Sequence, residues 1–250
     1  MSSDSRYSVR SVLRVFDLLD LLRERPAGAT LTELTGLADM PKSSMFRYLA
    51  TMESRGYVER DKSSGVYRLG AAFLANESQH LGVLARTARP RLERLRDQFD
   101  ETVNLGVLDG TRVVYLEIVE STRSMRFVAQ KGDKELVHST ALGKAISIML
   151  TDDEIRAILA AEGMPRRTDR TITDPSVFID AIRTARSDGY AIDDGENEAA
   201  GRCVAVPLVG VRPRAAISLS APSARFSDRQ SKEAAMVLRE VARSITEEIS

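Results

Sequence analysis

The chain has 250 residues, of which 43% are hydrophobic and 29% are charged, so it has the length for two modest domains and excludes a disordered tail or a low-complexity scaffold. Lysine and arginine together number 36, as do aspartate and glutamate, which excludes a protein that coats nucleic acid by bulk positive charge. One cysteine and two histidines exclude an internal disulfide and argue against a closed zinc site, so we expect no metal and no cofactor.

The first 70 residues carry the signals of three short helices. Apolar residues spaced by three and four predict a first helix from Ser8 that ends at Pro26, with its buried face formed by Val12, Val15, Phe16, Leu19 and Leu22. Thr30 and Glu33 form a capping box that opens a second helix running through Leu37. Pro41 and Gly56 mark the two ends of a third helix from Pro41 to Arg55.

The third helix is amphipathic, and it is followed by a predicted hairpin. Its buried stripe contains Met45, Tyr48, Leu49 and Met52, while Lys42, Ser43, Phe46, Arg47 and Ala50 lie on the opposite side. Two β-prone runs, 57–60 and 66–69, flank a polar turn that contains Lys62. Three helices followed by a hairpin predict a winged helix-turn-helix, whose third helix enters the DNA major groove.

The outer face of the third helix has the chemistry of a DNA contact. Arg47 can pair with a guanine edge, and Lys42, Ser43 and Ser44 can donate to phosphates or bases. Lys62 at the hairpin tip can reach a phosphate or the minor groove. Phe46 has two open interpretations, a contact with a thymine methyl or packing against the hairpin or another helix. Because winged helices also serve as protein-interaction modules, the motif alone leaves that alternative open.

The pattern becomes helical again from Ala71 to about Phe99, interrupted or kinked at Pro90, which predicts a connecting helix. Beyond it, Asp109 and Gly110 predict a hairpin between strands 103–108 and 112–119, and residues 125–129 suggest a third strand. Start signals predict helices after Thr151, Asp174 and Ser227, the second ending at Gly189, and apolar runs predict strands at 203–209 and 215–219. These elements predict an α+β domain with an antiparallel or mixed sheet.

The chain offers no candidate for membrane insertion. The N-terminal residues lack the apolar core of a signal peptide, and no apolar run approaches the roughly 20 residues that a membrane span needs. We therefore expect a cytoplasmic protein with no membrane partner.

Several segments taken together resemble the IclR family of bacterial transcriptional regulators. In the N-terminal part these are SVLR at 11–14, PKSSMFRYLATMESRGYVERD at 41–61 and GVYRLG at 65–70. In the C-terminal part they are HSTALGKA at 138–145, TITDP at 171–175, GYAIDD at 189–194, RCVAVP at 202–207 and AISLSAP at 216–222. The resemblance covers nearly the whole chain.

The resemblance implies a DNA-binding regulator, repressor or activator, that is controlled by a small molecule. It implies a winged helix-turn-helix domain at 1–70, a linker helix at 71–100 and a GAF-like effector-binding and oligomerisation domain at 101–250. The partners it implies are double-stranded operator DNA, a small organic-acid effector that we expect to be a carboxylate, and further copies of the chain in a dimer or a dimer of dimers. The effector pocket that it implies is lined by Ala141, Leu142, Asp193, Cys203, Ser218 and Ser220.

Elementary chemistry is compatible with that pocket. Alternation along a strand places Ser218 and Ser220 on one face, so both hydroxyls can point at an oxyanion. Free amides at a helix start near Ala141 and Leu142 would also receive a carboxylate. Asp193 would repel an anion unless it accepts from a ligand hydroxyl, is protonated, or orients an amide or water. Without the resemblance, backbone-bonded serines and a small buried Cys203 remain the simpler interpretation.

An enzyme is the competing class, since Cys203 and His138 offer a nucleophile and a base. A single cysteine on an apolar strand, with no glycine-rich turn and no cation beside it, is weak evidence for catalysis. We therefore expect no enzymatic activity, and a thiol pKa that is normal or raised would exclude this alternative.

Overall fold

The structure is a computed structural model that describes residues 9–23 and 25–249, with the backbone alone at residues 74–78. The chain divides into two compact units, of which the first ends at Leu81 and the second begins at Gly82. This boundary lies within the helix α4 (Ala71–Phe99), which continues through Pro90, so the predicted alternative of an interruption there is wrong. Among the described residues, no helix combines the length and the apolar character needed to cross a membrane.

The first unit is a winged helix-turn-helix. Its elements are α1 (Arg10–Arg23), β1 (Ala29–Thr30), α2 (Leu31–Leu37), α3 (Lys42–Ser54), β2 (Val58–Arg60) and β3 (Val66–Leu69). The strands form an antiparallel sheet in the order β1-β3-β2. The helices and the sheet enclose one core that includes Leu18, Leu22, Leu34, Leu49 and Tyr67.

Local signals located the helices of this unit well. Thr30 and Glu33 form the predicted capping box, and α3 lies within one residue of its predicted bounds at each end. The predicted buried face of α1 is wrong in part, because Leu18 is buried while Val12 and Phe16 are exposed. The short strand β1 was not predicted; its pairing with β3 depends on residues that lie far apart in sequence.

The second unit is an antiparallel sheet with helices. Its strands are β4 (Thr102–Asp109), β5 (Arg112–Val119), β6 (Lys134–Leu136), β7 (Ala191–Asp194), β8 (Gly201–Leu208) and β9 (Ala215–Pro222), in the order β6-β5-β4-β9-β8-β7. Its helices are the second part of α4, α5 (Ala141–Ser147), α6 (Asp152–Glu162), α7 (Pro175–Asp188) and α8 (Asp228–Ile249). Every pair of neighbouring strands in this sheet is antiparallel, so of the two predicted alternatives the antiparallel sheet is confirmed.

Both faces of the central strands are covered. Residues of α5, α6 and α7 form one buried cluster with Ala205 and Ala216, which lie on the same face of β8 and β9. Helix α8 also packs against β8 and β9, and the alternate residues Val204 and Leu219 are fully buried. The two central strands therefore lie between helical layers, and any polar side chain on them needs a partner inside the protein.

The third strand of this unit was predicted in the wrong place. Residues 125–129 form no strand, and the strand that pairs with β5 is β6. Met125 is 70% exposed, and its carbonyl accepts a hydrogen bond from Arg225 instead of a neighbouring strand. Residues 125–129 therefore form a segment whose backbone carbonyl groups accept hydrogen bonds from side chains and not from a neighbouring strand. Strand β7 was also not predicted.

The helix start and stop signals of this unit are confirmed. Thr151 and Glu154 form a capping box on α6, Asp174 caps α7, and Ser227 exchanges hydrogen bonds with Gln230 at the start of α8. Gly189 ends α7 in the left-handed conformation, with a φ of 76°, which glycine adopts without a steric penalty.

Candidate functional site

Helix α3 presents a polar face that the core of its unit does not use. Met45, Leu49 and Met52 are buried against the other helices and the sheet, whereas Tyr48 is only half-buried. On the other side, Lys42, Ser43 and Arg47 are exposed and Ser44 is half-buried. Phe46 keeps about half of its surface exposed. The helix is therefore anchored on one side and leaves the predicted DNA-contacting side chains accessible on the other.

The hairpin tip is held in a defined shape by its own side chains. The Asp61 carboxylate accepts hydrogen bonds from the amides of Ser63 and Ser64 and from the Ser63 hydroxyl, and these bonds lower the pKa of Asp61. Gly65 closes the turn with a φ of 71°. The ordered turn presents Lys62 to solvent, separate in sequence from α3 but within the same compact unit.

In the second unit, strand register brings four of the predicted effector residues together. Asp193 pairs with Cys203 across β7 and β8, and Cys203 pairs with Ser220 across β8 and β9. Ser218 lies two residues from Ser220 on the same strand face. Both serines and Asp193 are buried. The three strands thus carry a row of polar side chains across one face of the sheet, which local sequence could not reveal because register is a tertiary property.

Helix α5 covers this face and contributes the remaining two predicted residues. Ala141 and Leu142 form its first turn and belong to the same buried cluster as Cys203. Gly106 allows the close approach, since a Cβ atom there would lie 2.9 Å from a methyl group of Leu142. The Thr140 hydroxyl caps the helix by accepting from the Gly143 amide, so one of the amides at this helix start is already used by the protein.

Asp193 has a structural role that explains its burial. Its Oδ1 atom accepts hydrogen bonds from the amides of Glu196 (2.7 Å) and Asn197 (3.3 Å). Burial raises the pKa of Asp193 to about 6, although these two amides and the nearby Lys144 favour the charged form. Of the predicted alternatives, the structure therefore supports amide orientation and ready protonation. The carboxyl changes its charge within a range of pH that is accessible to binding measurements.

Cys203 and His138 do not form a nucleophile and base. Burial, with the nearby Asp193 carboxylate as the next cause, raises the pKa of the Cys203 thiol to about 12, so the thiolate is scarce at neutral pH. The Nε2 atom of His138 lies 3.1 Å from the carbonyl oxygen of Pro165, and burial lowers its pKa. The raised pKa of the thiol and the contact of His138 with Pro165 both argue against the enzyme alternative stated above.

The structure adds residues that the sequence did not single out. Asn104 on β4 donates from Nδ2 to both Ser218 Oγ (3.2 Å) and Ser220 Oγ (3.1 Å). Tyr115 packs against the buried cluster that contains Ala141 and Leu142, and burial raises the pKa of its hydroxyl. One signal was available for Asn104: an amide side chain between two apolar residues of a strand whose faces are both covered requires a polar partner.

A buried ion pair fastens the loop that follows β7. Lys144 from α5 donates to Glu196 Oε1 and to the carbonyl oxygen of Ile192, and both members of the pair are largely excluded from solvent. Thr171 donates to the carbonyl oxygen of Glu196 at 2.6 Å. The loop that Asp193 caps is thus tied to the helix that covers the polar row.

Other parts of the described chain offer weaker candidates. A cavity of about 380 Å³ lies beside α2, and one of about 360 Å³ lies between α4 and α8; neither is lined by a predicted effector residue. Within residues 9–23 and 25–249, no cluster of three or more histidine, cysteine or acidic side chains has the geometry to hold a metal ion. Among the described residues, the outer face of α3 and the polar row under α5 are therefore the strongest candidates for a binding site.

Comparison with known proteins identifies the family to which both parts of the chain belong. A model of the IclR helix-turn-helix domain matches residues 11–62, and a model of the C-terminal part of the bacterial transcriptional regulator IclR matches residues 78–247. The regulator KdgR of Escherichia coli strain K12 is 35% identical over 250 residues, which cover 96% of this chain and 92% of KdgR.

Solved structures agree with this match. The crystal structure of Thermotoga maritima IclR is 29% identical, with a TM-score of 0.64 and coverage of 96% of this chain and 98% of that one. An IclR homologue from Microbacterium hydrocarbonoxydans, solved in complex with 4-hydroxybenzoate, is 25% identical with a TM-score of 0.60, and the match covers 96% of this chain and 98% of that one. The chain belongs to the IclR family of bacterial transcriptional regulators, which combine a DNA-binding helix-turn-helix domain with a C-terminal effector-binding domain.

Proposed function

We propose that this regulator contacts its operator through the outer face of α3 and the hairpin tip. The observation that carries the proposal is the division of α3 into a side buried in its own unit and a side that presents Lys42, Arg47 and Phe46 to solvent. The arginine would form a bidentate pair with guanine, and the lysine would contact a phosphate. Ser43, Ser44 and Lys62 complete the proposed contact surface.

Selection of double-stranded DNA from a random pool by the full-length protein tests this proposal. We expect enrichment of one sequence with two half-sites related by two-fold symmetry and separated by about one helical turn or a multiple of it, because two copies of a helix-turn-helix would read them together. One such pair indicates a dimer, and two indicate a dimer of dimers. Failure to enrich any sequence over the starting pool would contradict sequence-specific binding.

We propose further that the effector is a small carboxylate that binds the polar row under α5. Ser218 and Ser220 supply two neighbouring hydroxyl groups on a buried strand face, and paired hydroxyl donors suit an oxyanion. The 4-hydroxybenzoate bound by the Microbacterium homologue is a hydroxy carboxylate, which supports the same ligand class here. The protein would act in the cytoplasm, where operator and metabolite are both accessible. Helix α4 would transmit the effect of ligand binding from the second unit to the DNA-binding unit.

A titration against sodium salts of lactate, pyruvate and 4-hydroxybenzoate tests the ligand class. We expect at least one to raise the melting temperature of the wild type, because a ligand that binds only the native state stabilises it. The affinity should fall as the pH rises through about 6, because Asp193 is neutral below that pH and repels a carboxylate above it. Calorimetric Kd values between pH 5 and pH 8 measure this dependence.

Three variants make the measurement specific. Ser220→Ala should weaken binding at every pH, and Asp193→Asn should remove most of the fall in affinity with pH. Ser147→Ala is the matched control, since Ser147 is fully buried but donates within its own helix to Gly143, and it should bind as the wild type does. Unchanged affinity and pH dependence in Ser220→Ala and Asp193→Asn would show that the carboxylate binds elsewhere.

A further inference from the structure

Asn104 extends the polar row from β9 onto the neighbouring strand β4, although it lies in none of the family motifs. Its side chain is 3% exposed and lies on β4, opposite Ser218 of β9. The Nδ2 atom is 3.2 Å from Ser218 Oγ and 3.1 Å from Ser220 Oγ, and it donates to both. One amide group therefore contacts both hydroxyls of the proposed effector site.

These two hydrogen bonds determine what the serines can do. A serine hydroxyl has one hydrogen to donate and two lone pairs to accept. Because each Oγ accepts from Asn104, each keeps its own hydrogen for another acceptor. The amide thus leaves both hydroxyl hydrogens available to a third group. For Ser220 the neighbouring Cys203 sulfur is one acceptor within the protein, and a ligand oxyanion would be a stronger one.

The other end of the same amide is an acceptor without a partner. Asn104 Oδ1 is fully buried, and none of the residues that the structure describes donates to it. A buried carbonyl oxygen without a hydrogen bond costs free energy, and a donor from a ligand would remove that cost. Since Oδ1 and Nδ2 belong to one amide, this acceptor is part of the same group that contacts both serine hydroxyls.

We infer that Asn104 is a binding and specificity-determining residue of the effector site and that it selects a 2-hydroxy carboxylate. The carboxylate of the ligand accepts from Ser218 and Ser220, and the adjacent hydroxyl donates to Asn104 Oδ1. A 2-oxo carboxylate of the same size places an oxygen lone pair against Oδ1 and is disfavoured. The inference rests on the proposed effector site and narrows its ligand class.

Matched pairs of ligands test this selection on the wild-type protein. Lactate and pyruvate, and likewise 2-hydroxybutyrate and 2-oxobutyrate, differ only in a hydroxyl or an oxo group next to the carboxylate. We expect the hydroxy member of a pair to bind about tenfold more tightly. It gains a hydrogen bond to Asn104 Oδ1, whereas the oxo member leaves Oδ1 without a donor. Equal affinity, or a preference for the oxo member, would overturn the inference while leaving a carboxylate effector intact.

Two variants locate the selectivity at Asn104. Asn104→Leu keeps the branched shape of the side chain without either hydrogen-bonding atom, so the ratio of the two Kd values should approach one. Ser147→Ala, another buried polar-to-apolar change, should keep the wild-type ratio even where it lowers stability. If Asn104→Leu keeps the full ratio, Asn104 does not select the ligand. If no carboxylate binds the wild type, the proposed effector class itself is wrong, and the inference is wrong with it.

Discussion

Arg47→Ala should weaken binding to the selected operator by about 5- to 150-fold, which corresponds to about 1–3 kcal/mol for the loss of a bidentate contact with guanine. The expected loss is large because the guanidinium lies exposed on the face of α3 that the core does not use, where it is accessible to a guanine edge. Affinity for a scrambled duplex should change much less, since base reading contributes little to non-specific binding. Fluorescence anisotropy at a fixed salt concentration measures both affinities.

Arg229→Ala provides the matched control for this prediction. Arg229 lies on α8 with 86% of its side chain exposed, so its removal lowers the net charge by the same amount without touching α3. It should bind the operator as the wild type does. If Arg47→Ala and Arg229→Ala retain equal operator affinity at the same salt concentration, α3 does not read the operator through Arg47.

Lys144→Met should produce the largest loss of stability among the changes considered for the second unit, about 3–5 kcal/mol. Lys144 is 4% exposed and its partner Glu196 is 9% exposed. Removal of the ammonium leaves the Glu196 carboxylate buried without a counter-charge, and its second oxygen already has no hydrogen-bond donor among the described residues. Hydrogen exchange of the amides in α5 and β8, followed by mass spectrometry, measures the free energy of opening in this unit alone.

A double variant separates the unpaired charge from the loss of packing. Lys144→Met combined with Glu196→Leu removes both charges and should recover most of the stability, since apolar pairs replace buried ion pairs at little cost. The exposed pair of Arg229 and Glu233 is the comparison, and Arg229→Met should cost less than about 1 kcal/mol. A double variant as unstable as Lys144→Met would show that packing, and not the unpaired carboxylate, causes the loss.

Several elements could be predicted because their signals are local. A capping box pairs the free amides at a helix start with side chains no more than three residues away. Thr30 with Glu33 and Thr151 with Glu154 therefore predicted the starts of α2 and α6 without any knowledge of how those helices pack. The pair of Asp109 and Gly110 likewise announced the hairpin of β4 and β5. The amphipathic pattern of α3 placed Arg47 on the accessible side, because helical period alone decides which side chains share a face.

Predictions about burial were less secure, because burial depends on what packs against an element. Val12 and Phe16 follow the helical period of α1 but remain exposed, while Leu18 is buried. Residues 125–129 have the composition of a strand, yet β6 takes the place beside β5. In both cases apolar residues occupy more positions than the core can bury. Contacts with residues distant in sequence determine which of these positions become buried.

For the effector site, the chain by itself determined which residues were candidates and the tertiary structure decided how they meet. Alternation along β9 was enough to place Ser218 and Ser220 on one face. The pairing of Asp193 with Cys203, and of Cys203 with Ser220, required the register of three strands. Asn104 enters the site only because β4 lies beside β9. A sequence records the donors and acceptors of each side chain, whereas the distances that join them across strands arise from packing of the whole sheet.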